Sequence, residues 1–179
     1  MWIIFQSVLT MPRLDTWTRR PPEEANLFGP SFLCAISHEF LRDFTKDGRD
    51  GASLFLLIIA LSSVLHRSSR ERLPYSTVTS LYAWVQDNED LLIGFASRAQ
   101  NLTPYLKEAV LFGLATKTIA VGDEGNLRPG ERRATFPKSF LDDTTAETKE
   151  IVDRSKFMGR WLAKSGSETS VAAALGVRP

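Results

Sequence analysis

The sequence predicts a mainly α fold: a compact helical domain containing a winged-helix-like unit with a short β-hairpin. Three observations carry that expectation. The block from His66 to Leu127 reads as helix, helix, helix and hairpin; the run from Leu54 to Leu65 is apolar on nearly all sides of a helix; and capping residues stand ahead of several apolar stripes, at Ser76 or Thr77, Asn88, Thr103 and Thr144. One domain over residues 1–179 is expected, with N-terminal helices over 17–66, the winged-helix-like unit over 75–140 and C-terminal helices over 144–179.

Taken in order, Arg19-Arg20-Pro21-Pro22 fixes the backbone, and Glu23-Glu24 suits the first turn of a short helix ending at Leu27-Phe28. From Pro30 a second helix carries Leu33, Ile36, Phe40 and Phe44 at helical spacing and stops at Lys46-Asp47-Gly48. The apolar helix after Gly51 needs cover around most of its circumference and is expected at the centre of the core. A loop spans His66 to Pro74. Ser76 or Thr77 then caps a helix with a Val78, Leu81, Tyr82 and Val85 stripe, and Asn88 caps the next, which buries Leu92, Phe95, Ala96 and Ala99. Thr103-Pro104 supplies cap and first-turn proline for a third helix that turns Leu106, Val110 and Leu114 inward. Thr118 to Val121 reads as a strand and Gly122 to Asn126 as its turn. Thr144 and Glu147 make a capping-box pattern for a long helix burying Ile151, Met158, Trp161 and Leu162, and a last helix runs from Ser167 to a stop at Gly176.

Composition narrows the function classes. With 22 basic and 21 acidic residues, the formal charge of +1 supplies no global field toward nucleic acid or an anionic membrane, so such contacts need a local patch. The single cysteine, Cys34, allows neither an internal disulfide nor a cysteine-based zinc cage, and a reducing cytoplasm is the natural reading. Met1-Trp2-Ile3-Ile4-Phe5 lacks the basic flank and cleavage site of a signal peptide; residues 1–10 read equally as an extension ahead of Met11 and as an N-terminal strand. Leu54 to Leu65 falls short of the roughly 20 apolar residues of a membrane span.

Catalytic chemistry has little to stand on. Cys34 and His38 share a helix face at the spacing of a metal or thiol–imidazole pair, but two ligands close no site and their neighbours Phe32, Leu33, Ile36 and Phe40 are apolar. His66, at the end of the apolar helix, reads as a cap for its last carbonyls rather than an acid or base. No phosphate-binding glycine loop, nucleophile elbow or His-Glu-x-x-His helix is present. No catalytic, metal-binding or cofactor-binding residue is therefore assigned, and no cofactor is expected.

Local patches favour contact with larger molecules. Arg67, Arg70 and Arg72 stand against Glu71 in the predicted loop, and Arg128, Arg132, Arg133 and Lys138 against Glu131 beside the hairpin; both groups are candidate partner or phosphate contacts. The run Pro104 to Leu114 offers one lysine, one glutamate and no Arg, Asn or Gln for base edges, which argues against sequence-specific groove reading. Tyr75, Trp84 and Tyr105 are candidate interface aromatics, with Trp84 equally suited to the core. The acidic stretch Asp142 to Asp153 suits a basic partner or this chain's own basic wing.

Three segments, Trp17 through Phe32, His66 through Thr77 into Trp84, and the closing Leu175-Gly176-Val177-Arg178-Pro179, together resemble the middle component of bacterial three-component ABC systems. The resemblance covers nearly the whole chain, and is thinnest over Met1 to Thr10 and Arg128 to Asp143. It implies the small accessory subunit of Lamassu-type anti-phage defence: a non-catalytic adaptor in a hetero-oligomer, linking an SMC-like ABC ATPase to an effector that is often a nuclease, meeting DNA mainly through that complex and not meeting a membrane. An autonomous winged-helix DNA-binding protein, such as a transcriptional repressor, is the alternative, with a small hydrolase behind it.

Overall fold

A computed structural model describes residues 14–15, 19–21, 28–122, 124–134 and 136–177. The expected short helix over residues 23–27 and both readings of residues 1–10 lie outside these residues. Within them are eight α-helices and one two-stranded sheet. Helix α1 (Pro30–Phe44) begins on a proline in its first turn, buries Leu33, Ile36, Phe40 and Phe44 as the stripe requires, and is closed by the turn to Gly48, whose φ is +83°. Helix α2 (Leu54–Leu65) is capped by Ser53, which accepts from the Leu56 amide.

The expectation that α2 is the centre of the core gives way to α1. Helix α1 lies against both α7 (Ala146–Ala163) and α5 (Phe95–Ala115), and these are the two most extensive helix interfaces; α2 packs beside it on the same two helices. Gly159 makes the α1–α7 approach possible: a Cβ there would sit 2.4 Å from the Phe40 carbonyl oxygen. Any side chain at this position would separate the two backbones.

Between α2 and α5 the chain departs from the predicted elements at each step. Residues 66–74 are not a loop, since Arg67–Arg72 forms α3. His66 does not bond the last carbonyls of α2. Its Nδ1 instead accepts from the Ser69 amide at 3.3 Å and caps the helix that follows. Helix α4 (Leu81–Asp87) is capped by Ser80, accepting from Ala83, and not by Ser76 or Thr77. The Ser76 hydroxyl accepts from the Val78 amide two residues on, a local turn that competes with helix initiation. The buried stripe is accordingly Leu81, Trp84 and Val85, with Val78 and Tyr82 turned outward.

Asn88 caps no α-helix, because its side chain donates back to the Trp84 carbonyl and only a 3-10 turn, Glu89–Leu92, follows. The second and third predicted helices are the single 21-residue α5, entered through Gly94 at φ +71° and running straight through Thr103-Pro104. An internal proline costs about 3 kcal/mol, yet Leu102 and Leu106 on either side of it are both buried, and breaking the helix would expose that face. In place of three helices and a hairpin, the described residues of 75–140 therefore hold one short helix, one turn, one long helix, a small hairpin and the start of a further short helix at Lys138.

That hairpin pairs β1 (Ile119–Val121) with β2 (Leu127–Pro129) antiparallel, with Ala120 opposite Arg128. Ala52 bridges to Leu127 through two backbone hydrogen bonds of 2.9 and 2.8 Å, which fastens the hairpin to the α1–α2 connection. Helix α6 (Lys138–Asp143) has no buried residue. Helix α7 is capped by Thr145 rather than Thr144, so the expected Thr144–Glu147 capping box does not form. Helix α8 (Glu168–Ala174) starts from Ser167 and ends ahead of Gly176, as its punctuation predicts.

Candidate functional site

The two basic groups predicted from sequence meet different fates. Arg70 is 1% exposed, with Nε 2.9 Å from Glu150, Nη2 2.6 Å from Glu147 and Nη1 3.0 Å from the Val64 carbonyl. A guanidinium satisfied by two carboxylates and a carbonyl is a brace holding α3 onto α7. Arg70 is thus withdrawn from the candidate contact surface. Its exposed neighbours are paired as well: Arg67 donates to Glu71 at 2.7 Å, and Arg72 lies 2.8 Å from both oxygens of Asp90. Two acids of the stretch expected to face a basic partner or the wing, Glu147 and Glu150, serve Arg70 instead.

The cations beside the hairpin remain available. Arg128 on β2, Arg132 and Arg133 after it, and Lys138 at the start of α6 are all exposed and have no ion pair among the described residues. The strand ends are tied by hydrogen bonds from the Gly130 amide to Thr118 O and from the Arg132 amide to Lys117 O, so the arginines emerge from a fixed backbone. Four guanidinium and ammonium groups over eleven residues form a local positive edge on a nearly neutral molecule.

The aromatics divide three ways. Trp84 belongs to the core: it is 6% exposed, its Nε1 donates to the Arg72 carbonyl at 2.8 Å, and its ring meets Trp161 edge-on at 5.6 Å. Tyr105 is half-buried with its ring 4.7 Å from that of Phe28. Tyr75 is 91% exposed, with Arg154 above its ring. Val78 and Tyr82, expected in the interior, join it on the surface. Three large, mainly apolar side chains within eight residues are therefore exposed. The Ser80 cap was the available signal, since a helix opening one residue after it turns Val78 out of register.

Cys34 and His38 lie in the interior. The Cys34 sulfur is 3.1 Å from the Thr118 hydroxyl, and burial pushes its thiol pKa up. Burial, then the charges of Arg42 and Arg133, pull His38 below the usual imidazole range, and its Nδ1 has no hydrogen-bond partner. Next to it Glu39 is also buried and shifted up by that burial; its Oε2 lies 2.5 Å from Arg42 Nη2, an ion pair without hydrogen-bond alignment. Among the described residues no group of three or more His, Cys, Asp or Glu side chains is placed to hold a metal ion, and no helix is long and apolar enough to cross a membrane.

One further feature was invisible in the sequence. A cavity of about 570 Å³ opens between α2 and α5, walled by Leu14, Phe28, Leu65, Leu102 and Tyr105 and carrying Asp15, Ser62, His66, Arg98 and Asn101 as polar groups. These residues come from four separate stretches of chain, which periodicity does not bring together.

No curated protein and no solved structure matches this chain. The family model for ABC-three component (ABC-3C) system Middle Component 3 matches residues 17–179, nearly its whole length. The chain belongs to the Middle Component 3 family of ABC-three component systems.

Proposed function

We propose that this protein is a non-catalytic adaptor, joining an SMC-like ABC ATPase to an effector, often a nuclease, in Lamassu-type anti-phage or anti-plasmid defence. The observation that carries the reading is the family match over residues 17–179, since a middle component is defined by the subunits it stands between. The surface supports it. Tyr75, Val78 and Tyr82 provide an apolar contact patch, and Arg128, Arg132, Arg133 and Lys138 provide a cationic edge for an acidic partner face or the phosphates of DNA held by the ATPase. Arg67 and Arg72 play a lesser part, their charges being paired within the chain. The protein acts as one folding unit inside a cytoplasmic hetero-oligomer and meets DNA weakly, through the complex.

Co-expression with the neighbouring ATPase tests the proposal. The two proteins should co-purify, and reversing Arg128, Arg132, Arg133 and Lys138 to glutamate should weaken assembly or its response to DNA without lowering the melting temperature. The unpaired cations also favour a second reading, autonomous DNA binding. A nanomolar, sequence-selective footprint by the isolated protein at physiological salt would establish that reading and remove the adaptor one.

A further inference from the structure

Residues 74–80 strap across α7 ahead of α4, and three hydrogen bonds fasten them there. Arg154 Nη1 donates to Pro74 O at 3.0 Å, Lys164 Nζ to Thr77 Oγ1 at 3.3 Å, and Trp161 Nε1 to Thr79 O at 2.7 Å. Two of these donors are cations with no carboxylate partner among the described residues. The acids closest to them in sequence are engaged elsewhere, Asp153 at 3.4 Å from Lys156 and Glu168 in the first turn of α8. Each cation also stands beside an exposed aromatic. The Arg154 guanidinium lies 4.9 Å from the Tyr75 ring, while Lys164 shares with Thr77 and Tyr82 the lining of a depression of about 120 Å³. Val78, next to Thr77, is 90% exposed.

Charge and apolarity together define what can cover this strap. A purely apolar partner would bury two cations without counter-charge, which is costly, and a purely polar one would leave Val78 and the tyrosine rings in water. The Thr77 hydroxyl accepts from Lys164 and keeps its own hydrogen to donate, so an anion entering the depression meets an ammonium and a hydroxyl together. We propose that the strap docks an acidic segment of a partner protein, one carboxylate entering the depression beside Lys164 and Thr77, a second meeting Arg154 at the Tyr75 ring, and aliphatic or aromatic side chains between them covering Val78 and Tyr82. The aliphatic Val78 between the two tyrosines favours a peptide over nucleic acid, which would set a phosphate or a polar base edge against it. The inference deepens the adaptor reading, and rests on it only for which subunit carries the segment.

The test pans a random peptide library displayed on phage against the full chain and measures the enriched peptides by fluorescence polarisation. Enriched sequences should carry net negative charge with aliphatic or aromatic residues interspersed. Lys164→Gln should weaken their binding about fivefold or more, the scale of losing a charge-assisted hydrogen bond, and Val78→Ser several-fold. Both substitutions alter exposed side chains and should leave the melting temperature unchanged. Arg154→Gln should weaken binding as well; because Arg154 also holds Pro74, the Lys164 and Val78 variants decide the matter if that one fails to fold. Absence of enrichment, selection of neutral or basic sequences, or affinity untouched by Lys164→Gln and Val78→Ser overturns the proposal. A labelled oligothymidylate that binds more tightly than the peptides and is weakened by the same variants overturns it too, in favour of a nucleic-acid surface. Panning needs no ATPase, so failure of the two subunits to co-purify strikes the adaptor reading and leaves this result standing.

Discussion

Replacing Arg70 with alanine should destabilise the protein substantially, although arginine in a short run of charged residues ordinarily reads as surface. Removing one side of a buried ion pair costs about 3–5 kcal/mol when the other side stays buried. Here the guanidinium is 1% exposed but its partners are not equally sheltered: the Glu147 side chain is 61% exposed and that of Glu150 37%. Both carboxylates can rehydrate once the arginine is gone, which brings the expected loss down to about 2–3 kcal/mol. With a urea m-value of about 2 kcal/mol per molar, that lowers the unfolding midpoint by roughly 1 M. Double-mutant cycles separate the two partners. Glu147 makes the shorter bond, 2.6 Å against 2.9 Å, but lies in higher dielectric, so exposure should outweigh distance. Coupling of Arg70 to Glu150 should reach about 1–2 kcal/mol and exceed that to Glu147. Arg67→Ala, whose side chain is 78% exposed, serves as the control with an unchanged midpoint. An Arg70→Ala midpoint matching wild type, or no coupling to either glutamate, would refute the brace between α3 and α7.

Other substitutions probe the remaining framework. Gly159→Ala places a Cβ 2.4 Å from the Phe40 carbonyl oxygen and should cost at least about 1–3 kcal/mol by forcing α7 away from α1, measured by chemical denaturation. Thr145→Ala should lose about 1 kcal/mol as a missing cap, while Thr144→Ala should change little; the reverse order would restore the capping box that the sequence pattern suggests. For His38 the folded pKa lies below the unfolded value, so its contribution to stability is present above the unfolded pKa and is lost as pH falls from there through the folded pKa. Wild type should therefore weaken on going from pH 7 to below about 6.5 more steeply than His38→Leu. Glu39, raised by burial, acts with the opposite sign, its contribution being full below its unfolded pKa and lost as pH rises through the folded one. Comparison of the two profiles isolates the histidine.

The legible parts of this fold are those where local signals agree with one another. Pro30 after a glycine with Leu33, Ile36, Phe40 and Phe44 behind it, or Ser167 with Gly176 beyond, need no tertiary information, and these helices stand where expected. Thr103-Pro104 misleads because the same dipeptide that opens a helix can lie within one when both flanks are buried. Helix α3, six residues long, is too short to display a period, and its cap is a histidine rather than a serine or threonine. Site chemistry was harder still. Arg70 finds its carboxylates 77 and 80 residues away, and Arg154 and Lys164 meet residues 80 and 87 positions earlier in the chain, pairings no spacing rule contains. The cations beside the hairpin were readable because exposure is the default state of charge.

A hairpin of two three-residue strands is too small to hold its own shape in water, and the Ala52–Leu127 bridge supplies the missing support. A partner docking along the cationic edge, as proposed, would therefore encounter a backbone already in its final form and surrender little configurational freedom on association. Weakening that bridge should shorten the life of any complex formed at the proposed cationic edge.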